Sequence, residues 1–469
     1  MNHFREMATN TKSPKPLNVL VMSAGLGTRM KSGRAKVLHE LGGAPLIAHV
    51  VRAAQTLDPR SIIVIVGHQA EEVERAVLDE VGELGSFVMQ AKQRGTGDAV
   101  ESARSVLANS ESLVLVLSGD VPMIRAETLR KFIEHHNNER AACSILSVRL
   151  ENPTGYGRIV RDENGTFRKI VEQRDATDEE RQVKEINSGI YCFEAKELYE
   201  ALLKVEPKNE QGEYYLTDVP EIILAGGEAV SVYLHNDARE VYGVNTRAEL
   251  AEFENLVRRS AIRKLMLEGG VTFIDPSHSY ISFEARIGRD SIIYPNVTIE
   301  GKSVIGEGCV IRSGARITNS RLGDEVVVKD YSIIVDSQIE SKCAVGPFAH
   351  LRMNTTLEEK ATVGNFVEVK KSRLKRGTKA MHLTYLGDAT IGERTNIGAG
   401  TVTCNYDGVN KHETIIEEDV KVGSDTMLVA PVRVGARSMT GAGSVVTKDV
   451  PPDSLVAGVP AEVKKKIRG

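Results

Sequence analysis

The chain has 469 residues, a formal net charge of −4, a hydrophobic fraction of 41% and an aromatic fraction of 5%. This length allows two or three domains, and the charge excludes the strongly basic footprint of a nucleic-acid-binding protein. No apolar run approaches the ~18 residues of a membrane helix, and five cysteines without a C-x-x-C pair predict neither disulfides nor zinc, but a reducing cytoplasm. Residues 1–16 are polar, lack the apolar stretch of a secretory signal and are predicted to be a flexible tail.

The first predicted strand leads into a candidate phosphate site. Residues 18–22 read as a buried strand, which ends in the loop sequence SAGLGTRM at residues 23–30. Glycines in such a loop let backbone N–H groups approach anionic oxygens. The chain has no G-x-x-x-x-G-K-[ST] motif, and Met30 replaces the third Gly of G-x-G-x-x-G, which argues against a dinucleotide site.

Further strands are predicted at residues 62–66, 87–90 and 113–117, with helical stretches between them. This alternation predicts a mostly parallel α/β sheet with ligands at the carboxyl ends of its strands. Gln90 precedes a second Gly-rich turn at residues 93–98, and Asp120 follows the last of these strands. Asp120 is suited to be a ligand of Mg²⁺, and a role as a helix N-cap is the alternative interpretation.

Residues 247–268 carry apolar residues at intervals of three or four and are followed by Gly269 and Gly270. This spacing predicts a helix, about 30 Å long, that links two domains.

From about residue 287 to 446, an aliphatic residue followed by Gly recurs along the chain. The separations are 18 residues between 287 and 305, 18 between 345 and 363, 6 between 391 and 397, and 12 between 422 and 434. Multiples of six predict three short strands per coil of a parallel β-helix, in which each strand points one aliphatic side chain inward. We expect small residues at the tight corners, because bulk or a disfavoured φ would strain the turn. A Gly-rich sandwich is the alternative, but its turns would be irregularly spaced.

The loop at residues 23–30, followed by KVLH at 36–39 and a G-x-P turn at 43–45, resembles the sugar-nucleotide pyrophosphorylases. The resemblance is extended by the later motifs PTGYGR at 153–158, EINSG at 185–189, QGEYYLTD at 211–218, GVN at 243–245, NFVEVKK at 365–371 and HLTYLGD at 382–388. Together, from residue 18 to about 460, they resemble the bifunctional N-acetylglucosamine-1-phosphate uridyltransferase and glucosamine-1-phosphate acetyltransferase family. The resemblance implies an α/β Rossmann-like nucleotidyltransferase domain at 17–246, a linker helix at 247–268 and a left-handed parallel β-helix acetyltransferase domain at 269–469.

The resemblance also implies a uridyltransferase site. Arg29 and Lys36 would supply fixed positive charge, and Asp120 and Asn245 would bind Mg²⁺. The nucleotide and phosphate contacts would be Met22, Ser23, Ala24, Gly25, Lys36, Gln90, Gly95, Thr96, Ser118, Gly119 and Asp120, with Gln90, Gly95 and Thr96 on the uracil side. Gly157, Glu172 and Asn187 would hold the sugar; a turn, a solvated charge and a cap, respectively, are their alternative interpretations.

In the β-helix, the motifs NFVEVKK at 365–371 and HLTYLGD at 382–388 place Lys, His and Tyr side chains where a regular coil has small residues. By resemblance His382 is the general base, since imidazole titrates near neutrality, and a stacking histidine is the alternative. Arg352 and Lys370 would hold the sugar phosphate, and Tyr385 and Asn396 the sugar. The acetyl-CoA site would comprise Ala399, Asn405, Tyr406, Ser424, Ala442 and Gly458.

The implied function is acetyl transfer from acetyl-CoA to glucosamine-1-phosphate and uridylyl transfer from UTP to N-acetylglucosamine-1-phosphate. UDP-N-acetylglucosamine for envelope synthesis would result, made by a cytoplasmic homotrimer with small-molecule substrates and neither nucleic-acid nor membrane partners. Two alternatives remain: a single-function nucleotidyltransferase whose β-helix is only a scaffold, and a binding protein whose two sites are inert. The resemblance departs from the family pattern at Ser118, which is Tyr in some members, and at Gly458, where some relatives carry Arg.

Overall fold

The computed structural model describes residues 15–25, 27–108 and 110–466, so most of the predicted tail at 1–16 lies outside the described residues. The chain divides into two compact units with a boundary between Phe253 and Glu254. This boundary falls within a helix, Arg247–Leu267, in the segment predicted to be helical. The predicted domain bounds and the linking role of this helix stay predictions.

The N-terminal unit is built on a nine-stranded sheet with helices on both faces. Its strands, including a separate hairpin of β2 and β3, are β1 Leu17–Met22, β2 Glu40–Leu41, β3 Ala44–Pro45, β4 Ser61–Val66, β5 Gly85–Met89, β6 Leu113–Ser118, β7 Cys143–Arg149, β8 Arg158–Arg161, β9 Phe167–Val171, β10 Glu185–Glu194 and β11 Val230–Leu234. The helices, of which the last crosses the boundary, are α1 Leu46–Gln55, α2 Ala70–Val81, α3 Thr96–Glu101, α4 Arg104–Leu107, α5 Ala126–Glu139, α6 Asp178–Arg181, α7 Ala195–Leu202, α8 Val219–Ala225 and α9 Arg247–Leu267.

The strand order β11-β7-β10-β6-β1-β4-β5 places the first strand in the middle of the sheet. β1 pairs in parallel with β4 and β6, β4 with β5, and β7 with β11, whereas β10 is antiparallel to β6 and β7. The continuous apolar runs of β1, β4 and β6 are buried, as expected for strands covered on both faces. Because the chain leaves β1 towards β5 and then returns to β6 on the other side, a crevice forms where Met22 pairs with Ser118.

The C-terminal unit stacks short strands in parallel, and the predicted parallel β-helix is confirmed. The strands are β12 Thr272–Phe273, β13 Tyr280–Ile281, β14 Arg286–Ile287, β15 Ile292–Ile293, β16 Thr298–Glu300, β17 Val304–Ile305, β18 Val310–Ile311, β19 Arg316–Thr318, β20 Arg321–Leu322, β21 Val327–Val328, β22 Ile333–Val335, β23 Gln338–Ile339, β24 Ala344–Val345, β25 His350–Arg352, β26 Thr356–Leu357, β27 Thr362–Lys370, β28 Arg373–Leu374, β29 Lys379–Gly387, β30 Ala389–Ile391, β31 Asn396–Ile397, β32 Val402–Cys404, β33 Thr414–Ile416, β34 Lys421–Val422, β35 Met427–Val429, β36 Val432–Val434, β37 Met439–Thr440, β38 Val445–Val446, β39 Ser454–Gly458 and β40 Ala461–Lys466.

Each coil places one aliphatic side chain per face above its equivalent in the next coil. On one face Ile293, Ile311, Val328, Val345 and Val363 are register partners in succession, and all are fully buried. Each such side chain contributes roughly 1.5–3 kcal/mol by leaving water. The spacing of 17 or 18 residues shows that several coils are one residue shorter than three hexads.

The corners also hold large residues, beside the small ones that the sequence predicts. Tyr331, Phe348 and Phe366 occupy corners with φ of 55° or 56°, and their rings point outward and are exposed, so bulk causes no collision. The glycines that directly follow inward aliphatic residues are explained by the distance to the next coil and not by the width of a corner. A Cβ on Gly288 or Gly306 would lie within 2.7 Å of several atoms of the next coil, so glycine is required by the close stacking of coils.

Candidate active sites

A cavity of about 330 Å³ opens at the carboxyl ends of β1, β5 and β6. It is lined by Met22, Ser23, Ala24, Gly25, Lys36, Val37, Gln90, Gln93, Gly95, Thr96, Ala99, Ser118, Asp120 and Glu213. Most of the predicted nucleotide contacts are therefore brought together. Two larger open grooves, of about 670 and 510 Å³, run along the β-helix, but neither is lined by a predicted site residue.

Asp120 and Asn245, the predicted Mg²⁺ ligands, converge on one cationic group. Lys36 Nζ forms an ion pair with the Asp120 carboxylate and donates to Asn245 Oδ1 at 2.9 Å. Arg29 donates to the same amide oxygen at 2.8 Å. Since carboxylate and amide oxygens are the donors that Mg²⁺ prefers, the residues fit this ion. Within residues 15–25, 27–108 and 110–466, no group of three or more His, Cys, Asp or Glu forms a metal site, so phosphates and water would have to complete the ligands.

Neighbouring groups hold Asp120 and Asn245 in place. The Ser118 hydroxyl donates to Asp120 Oδ1 at 2.6 Å, and the Val244 N–H donates to the Asp120 carbonyl at 2.9 Å. The Asn245 N–H donates to Glu249 Oε2 at 2.6 Å. The pair is thus held by hydrogen bonds with Ser118, Val244 and Glu249.

The loop after β1 presents backbone rather than side chains to the cavity. The Ser23 hydroxyl donates to the Ile65 carbonyl at 2.7 Å, so it is turned into the sheet. The N–H groups of Ala24 and Gly25 have no acceptor among the residues that the structure describes. Gln93 Nε2 donates to the Ala24 carbonyl at 2.5 Å and ties this loop to the second Gly-rich turn. The two N–H groups are free to bind phosphate oxygens.

The second turn is shaped by close backbone contacts. A Cβ on Gly95 would collide with the Tyr214 carbonyl and lie 2.8 Å from the Tyr214 nitrogen, so only glycine fits. Thr96 Oγ1 accepts from the Leu216 N–H at 3.0 Å, so the hydroxyl of this predicted uracil contact is already engaged. Gly119, another predicted contact, donates its N–H to the Met22 carbonyl at 2.9 Å.

Gly157, Glu172 and Asn187, the predicted sugar contacts, are neighbours. The Asn187 N–H donates to the Gly157 carbonyl at 2.9 Å, and a Cβ on Gly157 would lie 3.4 Å from Glu172 Oε1. Asn187 Nδ2 donates to the Tyr191 hydroxyl at 2.6 Å. Burial raises the pKa of Glu172, and a hydrogen bond with Thr217 partly opposes that rise. The three residues form one polar pocket beside the sheet.

Asp218 is a half-buried carboxylate near Glu172, and burial, with the charges of Glu221 and Asp175, raises its pKa from 3.8 to about 6. Because the folded state then binds the proton more tightly than the unfolded state, stabilisation present below about pH 4 is lost as the pH rises through 6. We expect Asp218→Asn to raise the free energy of unfolding by about 1–2 kcal/mol at pH 8, after allowance for partial exposure, and not near pH 4. Calorimetric unfolding at several pH values measures this. An effect independent of pH would contradict it.

In the C-terminal unit, Asn365 and His382 are register partners on β27 and β29. His382 Nδ1 lies 2.7 Å from Asn365 Oδ1. Because an amide oxygen only accepts, Nδ1 must carry the proton and donate it, which leaves the lone pair on Nε2. His382 is exposed, so this lone pair is accessible to a substrate.

Three basic side chains, those of Arg352, Lys370 and Lys411, lie close together near β29, the strand of His382. Arg352 and Lys370 are register partners on β25 and β27, and Arg352 donates to Glu368 Oε1 at 2.8 Å. A side-chain contact with Lys411 lowers the pKa of Lys370, and burial and the charges of Lys411 and Arg352 lower it further. Such crowding of positive charge is relieved by an anion. Lys411 lies in an excursion from the coil, residues 405–413 between β32 and β33. It had no role in the sequence interpretation, because its position beside Lys370 results from the return of this excursion.

Tyr385 and Asn405 pack over Gly387. A Cβ on Gly387 would collide with the Tyr385 hydroxyl and lie 2.8 Å from Asn405 Nδ2. Asn405 Nδ2 also donates to Asp388 Oδ2 at 2.6 Å, and Lys371 lies 3.3 Å from the other carboxylate oxygen. Asn396 is exposed on β31, and no hydrogen bond joins it to Tyr385 in the described part of the chain. The structure therefore unites Tyr385 with Asn405, but not with Asn396.

Four of the predicted acetyl-CoA contacts form a strip up successive coils. The Asp425 N–H donates to the Ala399 carbonyl at 2.7 Å, and the Gly443 N–H donates to the Ser424 carbonyl at 2.8 Å. Ala442 and Gly458 follow on the next two coils, and the strip consists of Ala399, Ser424, Ala442 and Gly458. Tyr406 projects from the preceding excursion with 59% of its surface exposed and donates its hydroxyl to the Gly408 carbonyl. Four small residues, of which Ser424, Ala442 and Gly458 are exposed, leave room for an extended ligand.

Comparison with known proteins assigns the chain to a family. The family described as "Nucleotidyl transferase" matches residues 18–239, and the family described as "GMPPB C-terminal domain" matches residues 276–365. Proteins named "Bifunctional protein GlmU" from Syntrophomonas wolfei and Pelobacter propionicus are each 46% identical to this chain. The alignments cover 94% and 95% of this chain, respectively, and 96% of each relative. A protein of the same name from a Geobacillus strain is 44% identical over 95% of this chain and 96% of its own length.

The chain belongs to the GlmU family. Membership confirms the resemblance drawn from the sequence motifs. The match to GlmU relatives runs through both units, so each of the two candidate sites lies in a region that this family shares.

Proposed function

We propose that this chain synthesises UDP-N-acetylglucosamine in two steps, acetyl transfer to glucosamine-1-phosphate and uridylyl transfer to the product. The observation that carries this proposal is that each unit brings together its own reactive groups. The N-terminal unit joins Lys36 to Asp120 and Asn245, and the C-terminal unit joins His382 to Asn365. Membership of the GlmU family favours this bifunctional enzyme over the single-function alternative.

Uridylyl transfer needs charge neutralisation more than proton transfer. The attacking sugar phosphate is already ionised, and pyrophosphate leaves as an anion, so the transition state spreads negative charge over phosphate oxygens. Lys36 and Arg29 lie beside the cavity and supply fixed positive charge. The N–H groups of Ala24 and Gly25 hold phosphate oxygens, and Glu172 and Asn187 hold the acetylated sugar.

Asp120 and Asn245 would hold Mg²⁺, which when bound neutralises phosphate charge. Their two oxygens already share the Lys36 ammonium group, so they are placed to share a cation. Lys36 is thereby kept next to the phosphates that the ion would accompany.

Acetyl transfer requires a free amine and a base. His382 Nε2 takes the proton as the amine of glucosamine-1-phosphate attacks the thioester of acetyl-CoA, while Nδ1 remains bonded to Asn365. The C–N bond forms, the C–S bond breaks, and coenzyme A leaves as a thiolate that takes up the proton from His382. Arg352, Lys370 and Lys411 bind the sugar phosphate, whose negative charge relieves their mutual repulsion. Tyr385 and Asn405 contact the sugar end and the acetyl group. The strip of Ala399, Ser424, Ala442 and Gly458 accommodates the coenzyme.

A two-stage assay tests both activities together. Purified protein is given acetyl-CoA and glucosamine-1-phosphate, and free thiol is measured; UTP and Mg²⁺ are then added, and pyrophosphate is measured. We expect both products, and UDP-N-acetylglucosamine at the end. Pyrophosphate release from supplied N-acetylglucosamine-1-phosphate without any thiol release would instead support a scaffold β-helix.

We further propose a homotrimer. An apolar ladder, defined as the three aromatic residues Tyr331, Phe348 and Phe366 together with Leu383, occupies one corner of four successive coils. Its rings stack with centroids 5.5 and 5.3 Å apart, and 48–65% of each side chain is exposed. Phe366 and Leu383 directly follow Asn365 and His382. An apolar corner beside the base is best covered by another copy, and closed cyclic symmetry gives equivalent contacts.

We expect the double variant Phe348→Asp, Phe366→Asp to be monomeric, because two charges cannot be buried against a neighbouring copy. Its rate of acetyl transfer should fall at least about tenfold. Uridylyl transfer should remain. Sedimentation velocity and the two assays measure these effects, with Leu203→Asp, an exposed apolar residue of the other unit, as the control. A fully active monomer of the parent would contradict the trimer.

We place the enzyme in the cytoplasm. All five cysteines are free, and four are buried, as suits a reducing compartment. In the described residues no helix has the length and apolar character of a membrane span.

A further inference from the structure

Gln90 is held in one amide orientation. Its Nε2 group donates to Asp98 Oδ2 at 3.0 Å and to the Gly95 carbonyl at 3.3 Å, so both amide hydrogens are used inside the protein. No N–H or O–H of the described residues donates to Gln90 Oε1. Since Gln90 lines the nucleotide cavity, Oε1 is the atom left for a ligand.

Asp98 accepts the shorter of the two hydrogen bonds that impose this orientation. An ionised carboxylate only accepts hydrogen bonds, so the amide oxygen of Gln90 cannot face it. Arg94 Nε and Nη2 donate to Asp98 Oδ1 at 3.1 and 2.6 Å, which keeps the charge balanced and leaves Oδ2 for Gln90. Only 12% of the Asp98 side chain is exposed, so water competes little for these bonds.

A free donor accompanies this acceptor. The Gly95 N–H has no acceptor among the described residues, and Gly95 lines the same cavity. The site therefore offers one acceptor and one donor, five residues apart in sequence, to the edge of a base. Uracil has the matching edge, because its N3–H donates and its adjacent carbonyl accepts. Cytosine in the same position sets the N3 lone pair against Oε1 and an amino N–H against the Gly95 N–H.

We propose that Asp98 is a positioning residue that sets pyrimidine specificity: by fixing the amide of Gln90 it selects UTP over CTP. The inference rests on the proposed function, in which Gln90 contacts the base. Without the carboxylate, the amide can rotate and present Nε2 to N3 of cytosine. The selection that Gln90 supplies against CTP is then lost, while the Gly95 N–H still opposes the amino group of cytosine.

The test is the ratio of kcat/KM for UTP to kcat/KM for CTP, measured with N-acetylglucosamine-1-phosphate. We expect Asp98→Asn to lower this ratio by about ten- to a hundredfold, because the new amide can donate to Gln90 Oε1 and permit the rotated orientation. Asp98→Glu retains an acceptor-only group and should retain most of the ratio. If Asp98→Asn does not fold, Asp98→Ser, which can also donate, takes its place.

Asp79→Asn is the matched control, because it removes one negative charge from the exposed face of α2, away from the cavity lining, and its ratio should equal that of the parent. Acetyl transfer by the other unit, in the same preparations, reports folding and concentration. A ratio within twofold of the parent in folded Asp98→Asn would overturn the inference.

Gln90→Ala separates this inference from the proposed function on which it rests. If Gln90→Ala lowers the ratio and Asp98→Asn does not, Gln90 reads the base and the role of Asp98 alone is wrong. If Gln90→Ala leaves the ratio unchanged, the base contact itself is wrong and the inference fails with it. If both variants lower it and the double variant lowers it no further, the two residues act as one unit, as proposed.

Discussion

Asp120→Asn is expected to lower uridylyl transfer about 10³-fold while acetyl transfer by the same protein stays within twofold. The substitution keeps the shape of the side chain but removes the charge that pairs with Lys36 and that would hold Mg²⁺. Several kcal/mol of transition-state stabilisation are associated with such an ion, and every 1.4 kcal/mol is tenfold in rate. The loss should be partly offset by higher Mg²⁺, which titration of the ion in the pyrophosphate-release assay measures.

Asp79→Asn is the control for the removal of an acidic group. Asp79 is exposed on α2 and away from the cavity lining, so both activities should be unchanged. Equal loss of both activities in a folded Asp120→Asn protein would refute separate sites. An unchanged dependence on Mg²⁺ would refute the ligand assignment alone.

The β-helix could be predicted because its core is one-dimensional. Each inward residue contacts its equivalents one coil away, so the period of the sequence is the period of the structure. Ile305 and Val345 were identified from spacing, and both are buried. The large residues at some corners were not predicted, because a residue such as Phe348 points outward, and its stacking on Tyr331 and Phe366 depends on side chains 17 or 18 positions away.

In the α/β unit, strand ends could be predicted and side-chain orientations could not. Parallel strands end at one edge, so the residues after β1, β5 and β6 had to meet. Asp98, by contrast, was visible only as part of a Gly-rich turn. Its importance comes from a hydrogen bond to Gln90 that no periodicity encodes.

Lys411 and Asn365 show the same limit in the β-helix. Asn365 stood in a recognised motif, but its bond to His382 exists only because β27 and β29 stack in register. Lys411 meets Lys370 only because the excursion after residue 404 folds back. Sequence indicated the segments, and tertiary stacking decided which atoms meet. The roles of all these residues stay predictions until variants are measured.

His382→Ala is expected to lower acetyl transfer by about 10²–10⁴-fold and to spare uridylyl transfer from supplied N-acetylglucosamine-1-phosphate. The loss should lie in kcat rather than in coenzyme binding, because the base acts on the amine proton and the acetyl-CoA strip is untouched. Raising the pH should partly restore the rate, since more of the substrate amine is then already deprotonated. Thiol release between pH 7 and 9 measures this.

Asn365→Leu is the companion variant and tests the tautomer. Without the amide oxygen, Nδ1 no longer has to carry the proton, and we expect kcat to fall by about tenfold with His382 still present. His278→Ala, which removes an exposed histidine of the same unit, is the control and should change neither activity. If His382→Ala acetylated glucosamine-1-phosphate within a few-fold of the parent at every pH, His382 would not be the base, and its bond to Asn365 would serve packing of the coils instead.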